Sequence, residues 1–123
     1  MNEFYRQYRN LFSHTERCPY EDIVAYQVEL AEKLIRYVRD HVPVFSERVR
    51  PLFKGDTFRP ERWGELQILT RRELQDATPA LEEIAPPAEM GSLRIVSTSG
   101  STGMPVRVRR TAFATGMHAR PDL

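Results

Sequence analysis

The hydrophobic pattern of this chain changes its period once, across a proline-rich connector, and that change limits what the chain can build. Residues 79 to 91 contain Pro79, Pro86, Pro87 and Gly91, which interrupt helices and mark a connection rather than an element. Before the connector, apolar residues recur at helical spacing; beyond it they fall in short extended runs. The reading is a helical region over residues 1 to 89 followed by the beginning of a sheet over residues 90 to 123. The expected class is α/β, written as α+β over the residues given. A length of 123 residues fits one small domain or a piece of a larger one.

Within the helical region, Phe4, Tyr8, Leu11 and Phe12 define a short amphipathic helix over residues 3 to 13, which needs a surface to dock on. The strongest periodic segment follows Pro19. Asp22 is placed to cap it, and Val24, Val28, Ala31, Ile35, Val38 and Val42 form its apolar stripe. Pro43 ends or kinks this helix. Phe45, Val49 and Leu52 then belong to a shorter helical or irregular stretch closed by Gly55, and residues 54 to 64 read as a loop anchored by Phe58 and Trp63. Thr70 and Glu73 have the spacing of a capping box, so a helix of about two turns starts there and stops near Pro79.

Beyond the connector, Leu93 to Thr98 and Val106 to Arg109 read as strands, and Thr111 to Thr115 begin another helix. The turn between the strands, residues 97 to 105, is Ser-Thr-Ser-Gly-Ser-Thr-Gly-Met-Pro. Its glycines let backbone amides face inward and its hydroxyls can donate to phosphate oxygens, so it reads as a phosphate-cradling loop. It is not a nucleoside-triphosphatase P-loop, because no lysine follows Gly103. The plain alternative is a Ser/Gly-rich turn with no ligand.

Other chemistries are poorly served. Eighteen Lys and Arg against 17 Asp and Glu give a net charge of +1, which offers no field for nucleic acid or an acidic membrane. The balance is uneven: residues 1 to 89 hold 13 basic and 16 acidic groups, residues 90 to 123 hold 5 and 1. Cys18 is the single cysteine, which excludes an internal disulfide and a cysteine-clustered metal site. His14, His41 and His118 have no ligand spacing, and the alternation around Arg107 and Arg109 places both on a solvated face. No apolar run reaches the ~18 residues of a membrane span; with no secretory signal in the opening residues, the expected location is cytoplasmic.

Ser99-Gly100-Ser101-Thr102-Gly103-Met104-Pro105, preceded by Thr98 and a strand and followed by Val106-Arg107-Val108, closely resembles the first signature of the adenylate-forming, AMP-binding enzymes. Two further segments resemble the phenylacetate-coenzyme A ligase branch of that acyl-CoA synthetase-like superfamily, which includes capsule-biosynthesis adenylate-forming proteins. Gln27 through Val49 looks like a helix and proline-aromatic stretch near the start of that branch. Trp63 through Leu74 looks like its Leu-Pro-Ile-Leu-Thr-Lys stretch, with Gln67 in place of the proline and Arg71 in place of the lysine. The similarity extends to about Phe113. Met104 and Val106 stand where relatives often carry a lysine.

The resemblance implies an ATP-dependent ligase that activates a carboxylate as an acyl-adenylate and passes the acyl group to coenzyme A, phenylacetate being the family's example. ATP with Mg²⁺ is the implied cofactor, coenzyme A a co-substrate and a small-molecule carboxylate the partner, with no nucleic acid and no membrane. Thr98, Ser99, Gly100, Ser101, Thr102 and Gly103 are the implied phosphate-binding residues; no catalytic residue and no metal ligand is assigned. Residues 90 to 123 then form the incomplete beginning of the AMP-binding domain, and the chain is expected to be an inactive N-terminal fragment with exposed apolar surface prone to self-association. Two alternatives stay open: a non-catalytic helical interaction or regulatory module with a relic phosphate loop, and a small self-sufficient nucleotide-binding protein.

Overall fold

The computed structural model describes residues 3 to 100 and 103 to 118. Among these residues five α-helices come in chain order: α1 (Glu3–Thr15), α2 (Tyr20–His41), α3 (Pro43–Val49), α4 (Arg71–Glu82) and α5 (Ala112–His118). A first hairpin, β1 (Phe53–Lys54) with β2 (Thr57–Phe58), sits between α3 and α4, and a second, β3 (Leu93–Ser97) with β4 (Arg107–Thr111), precedes α5. Both pairs are antiparallel. The architecture is a mixed α+β fold with two small sheets and no closed barrel among the described residues.

The apolar stripe of α2 meets the core in its C-terminal half, at Ile35 and Val38, whereas Val28 is exposed. Ile35 is buried with Val49, Leu52, Phe53 and Phe58, and Val38 and Leu66 pack against this cluster. Leu52 is fully enclosed. Pro43 becomes the first residue of α3, where its missing N–H costs no bond and its fixed φ suits a helix start. The chain then doubles back through β1 and β2, with Phe53 opposite Phe58 and Lys54 opposite Thr57. Gly55 takes φ +60° at the first central position of that tight turn, which a side chain rarely adopts.

Arginines of α2 hold the turn in place. Arg39 donates to the Asp56 carboxylate at 2.9 Å, and Arg36 donates to the same carboxylate oxygen at 3.1 Å and to the Asp56 carbonyl at 2.9 Å. The Arg39 guanidinium also lies 4.5 Å from the centre of the Phe53 ring, a favourable cation-aromatic placement. The hydrogen bond from Arg39, with the nearby charge of Arg36, keeps the Asp56 carboxyl below the usual aspartate range.

Four expectations change. Asp22 does not cap α2: the helix begins one turn earlier at Tyr20, after Pro19, and Asp22 sits inside its first turn, where its charge still suits the helix dipole. α4 does not stop near Pro79 but runs to Glu82; its packing against β4 outweighs the single amide that proline removes. Phe58 is an anchor, at 8% exposure, whereas Trp63 is 48% exposed. The 3-10 turn Pro60–Glu65 carries Trp63 past the core, and Leu66 makes the contact instead. The fourth change concerns Arg109 and is described with the site.

Of the positions that defined α1, Leu11 is half-buried and Phe12 exposed; the side chains of Phe4 and Tyr8 lie outside the described residues. β3 is exposed along all five residues, including Leu93, Ile95 and Val96. Among the described residues no helix is long and apolar enough to cross a membrane.

Replacing Leu52 by Ala should lower unfolding free energy by about 3 kcal/mol, because an enclosed leucine leaves a cavity that its neighbours fill only in part. Urea denaturation followed by far-ultraviolet circular dichroism measures it.

Candidate functional site: the loop between β3 and β4

The site is built from the N-terminus of α4 outward. Thr70 Oγ1 accepts from the Glu73 N–H at 3.2 Å, while the Glu73 carboxylate accepts from the Thr70 N–H at 2.8 Å and the Thr70 hydroxyl at 2.7 Å. This is the capping box that the sequence spacing indicates. Arg48 of α3 adds a third hold, donating to Glu73 Oε1 at 2.6 Å and to the Gln67 carbonyl at 2.8 Å. The Thr70 N–H first, then the Thr70 hydroxyl and Arg48, lower the Glu73 pKa to about 2. The Glu73 carboxylate thus places a negative charge at the start of α4, against the Thr70 N–H and hydroxyl, and Thr70 Oγ1 takes the Glu73 amide.

Fixing this turn aims two side chains at the loop. Arg71 and Gln75 are four residues apart, so they share a helix face. Arg71 Nη2 donates to the Met104 carbonyl at 3.1 Å and reaches Thr98 Oγ1 at 3.5 Å; Gln75 Nε2 donates to the same carbonyl at 2.6 Å. Many of the chain's arginines meet a carboxylate, as Arg48 and Arg107 do. Arg71 meets none among the described residues, only a carbonyl and a hydroxyl.

The loop closes on itself at Thr98. Its N–H donates to the Val106 carbonyl at 3.0 Å, and its Oγ1 accepts from the Val106 N–H at 3.0 Å. Inside this closure, the Gly103 N–H donates to the Gly100 carbonyl at 3.1 Å. Gly100 has φ +63°, and a Cβ there would stand 3.0 Å from the Gly103 carbonyl oxygen and 3.3 Å from Pro105 Cδ. Gly103, at φ +144°, has open space around it, so its requirement comes from the backbone alone.

The six implied phosphate-binding residues are therefore placed unequally. Thr98 closes the loop with its oxygen and keeps its hydroxyl proton for an acceptor; Ser99 is exposed; Gly100 and Gly103 shape the bend. Ser101 and Thr102 lie outside the described residues. Arg71 and Gln75 were not assigned from the sequence. Their shared helix face was readable from the capping box and the four-residue spacing, but what that face meets was not.

Arg109 is not solvated. It is half-buried and donates to the carbonyls of Leu81, at 3.1 Å, and Ile84, at the C-terminal end of α4, where the helix dipole attracts a cation. Arg107 is exposed as expected and pairs with Glu82 at 2.9 Å. Between these contacts lies an open cavity of about 280 Å³, walled by Tyr37, Leu74, Leu81, Leu93 and Val108 and separate from residues 97 to 105. Among the described residues no three His, Cys, Asp or Glu side chains converge to hold a metal ion.

Comparison with family models, with curated proteins and with solved structures gave no match to this chain.

Two measurements test the geometry. Glu73 has a lowered pKa, so the unfolded chain binds its proton more tightly and acid favours unfolding. Its contribution is complete above its ordinary value of 4.5 and drains away as pH falls toward about 2. The thermal midpoint of the wild-type chain should thus exceed that of Glu73→Gln by a few degrees at neutral pH, with the gap closing over that window. Gly100→Ala should speed amide exchange at Gly103 and Val106 by about tenfold, since both the backbone angle and the carbonyl contact oppose a side chain.

Proposed function

We propose that residues 97 to 105 form the phosphate loop of an adenylate-forming ligase and hold the β and γ phosphates of ATP. The observation that carries this reading is Arg71: a guanidinium with no carboxylate partner among the described residues, exposed beside a glycine-bent loop of hydroxyl residues. It provides the positive charge that Met104 and Val106 leave out, and a guanidinium pairs with phosphate oxygens through two N–H groups at once. The Thr98 hydroxyl, Ser99 and the amides around Gly100 and Gly103 add donors.

In the proposed reaction a carboxylate oxygen attacks the α phosphorus of ATP, the bond to the bridging oxygen breaks, and pyrophosphate leaves. The thiolate sulfur of coenzyme A then attacks the acyl carbon of the adenylate, and AMP departs. A small aryl carboxylate such as phenylacetate is the proposed substrate. Mg²⁺ bound to ATP shares in offsetting phosphate charge. The part of this chain is to bind and orient the leaving pyrophosphate, stabilising charge that grows there as the bond breaks.

A second reading draws on a different observation. Leu30 and Leu34 of α2 are 44% and 59% exposed and lie one helical turn apart, which favours a helical module that docks on a protein partner while the loop persists as a relic.

Titration calorimetry of the full chain with Mg²⁺-ATP separates the two. Saturable 1:1 binding is expected, weakened about tenfold or more in Arg71→Met and lost when Ser99, Ser101 and Thr102 are all replaced by Ala. A folded chain that shows no saturation at millimolar nucleotide sinks the phosphate reading and leaves the docking module.

A further inference from the structure

Resting on the phosphate reading of the loop, we infer that Gln75 is a positioning residue: it holds the Met104 carbonyl so that Arg71 can turn to a phosphate group without the loop losing its place. The Met104 oxygen receives two donors from α4, Gln75 Nε2 at 2.6 Å and Arg71 Nη2 at 3.1 Å. A carbonyl has two lone pairs, and one good donor is enough to keep it satisfied. The two donors are unequal. Gln75 is half-buried, neutral and short-bonded; Arg71 is exposed, charged and divides one nitrogen between Met104 and Thr98, the latter at 3.5 Å.

These differences assign separate duties. An arriving phosphate attracts the guanidinium strongly and the neutral amide weakly, so the cation leaves the carbonyl and the amide stays. The other limb of the loop does not need Arg71 either, because the Val106 N–H already donates to Thr98 Oγ1 at 3.0 Å. With Arg71 withdrawn, the entrance at Thr98 and the exit at Met104 are each still held. Both donors stand on the helix turn fixed by Thr70, Glu73 and Arg48, so the distance from brace to cation is set before the anion arrives.

The test uses the full chain, inorganic triphosphate as the probe, and the variants Gln75→Met and Arg71→Met, which keep helix propensity, the first keeping side-chain length as well. Without ligand, Gln75→Met should raise amide exchange at Thr98 and Val106 by about tenfold, and Arg71→Met by much less, with the α2 amides unchanged in both. With triphosphate, Gln75→Met should lose about tenfold in affinity while keeping the wild-type salt dependence, because no charge is removed; Arg71→Met should lose both affinity and salt dependence. Salt dependence is the readout that a general loss of structure would not leave intact.

Equal exchange at Thr98 and Val106 in Gln75→Met and wild type overturns the brace, whatever the triphosphate result. Faster exchange in Gln75→Met together with no triphosphate binding by wild type upholds the brace and overturns the phosphate reading with the turn of Arg71. Triphosphate binding that Arg71→Met leaves unchanged overturns that turn alone.

Discussion

The Glu73 carboxylate is the joint on which the rest of the site depends. It takes three donors from two directions: the Thr70 N–H and hydroxyl from its own helix start, and the Arg48 guanidinium from α3. One carboxylate thus ends the disorder of a helix terminus and fastens α4 to the helix that borders the core. Without that fastening, Arg71 and Gln75 would be long side chains on a frayed turn, and their reach to Met104 would carry the full entropy of ordering them. The local cap and the tertiary ion pair share an atom group, so weakening one loosens the other.

The second hairpin depends on α4 in turn. A two-stranded ribbon is marginal in water, and β3 buries none of its five residues. α4 lies along β4 and is clipped to the hairpin at both ends: Gln75 and Arg71 hold the loop at Met104, while Arg107 pairs with Glu82 and Arg109 caps the carbonyls of Leu81 and Ile84. The helix is a splint. This also accounts for its persistence through Pro79, since an early stop would remove Leu81 and Glu82 from the places where β4 meets them.

Local rules in the sequence translated well where the determining contacts are near in the chain. The capping box needs only Thr70 and Glu73 three residues apart, and it is present. Pro43 needs only its own ring to end α2, and the strand around Val108 needs only its β-branched and extended neighbours. Expectations that depended on distant partners fared differently. Phe58 and Trp63 are equivalent as aromatic anchors until the Phe53 ring opposite Phe58 is known, 5.9 Å from it. Arg109 is a solvated strand residue by alternation, yet the end of α4 arrives beside it. Asp22 has the right chemistry for a cap, but Pro19 sets the helix start one turn earlier. The loop was legible as a turn of glycines and hydroxyls and not as geometry: nothing in 97 to 105 itself reveals that Arg71 of α4 reaches it.

Where that cation comes from changes what the loop can do. A lysine at position 104 or 106 would ride on the loop and move with it, a compact charge on a flexible stem. Arg71 rides on a capped helix instead, and its planar fork approaches the loop from outside. The charge is then held relative to α3 and the core through Glu73 and Arg48, and on the proposed reading a phosphate meets a cation that is not carried by the loop. If the loop holds the leaving pyrophosphate as proposed, a cation carried by the capped helix lowers the reorganisation needed when charge develops there. On the same proposal the loop depends on a neutral brace such as Gln75, because a cation that turns to the ligand cannot at the same time be the permanent support of the backbone beside it.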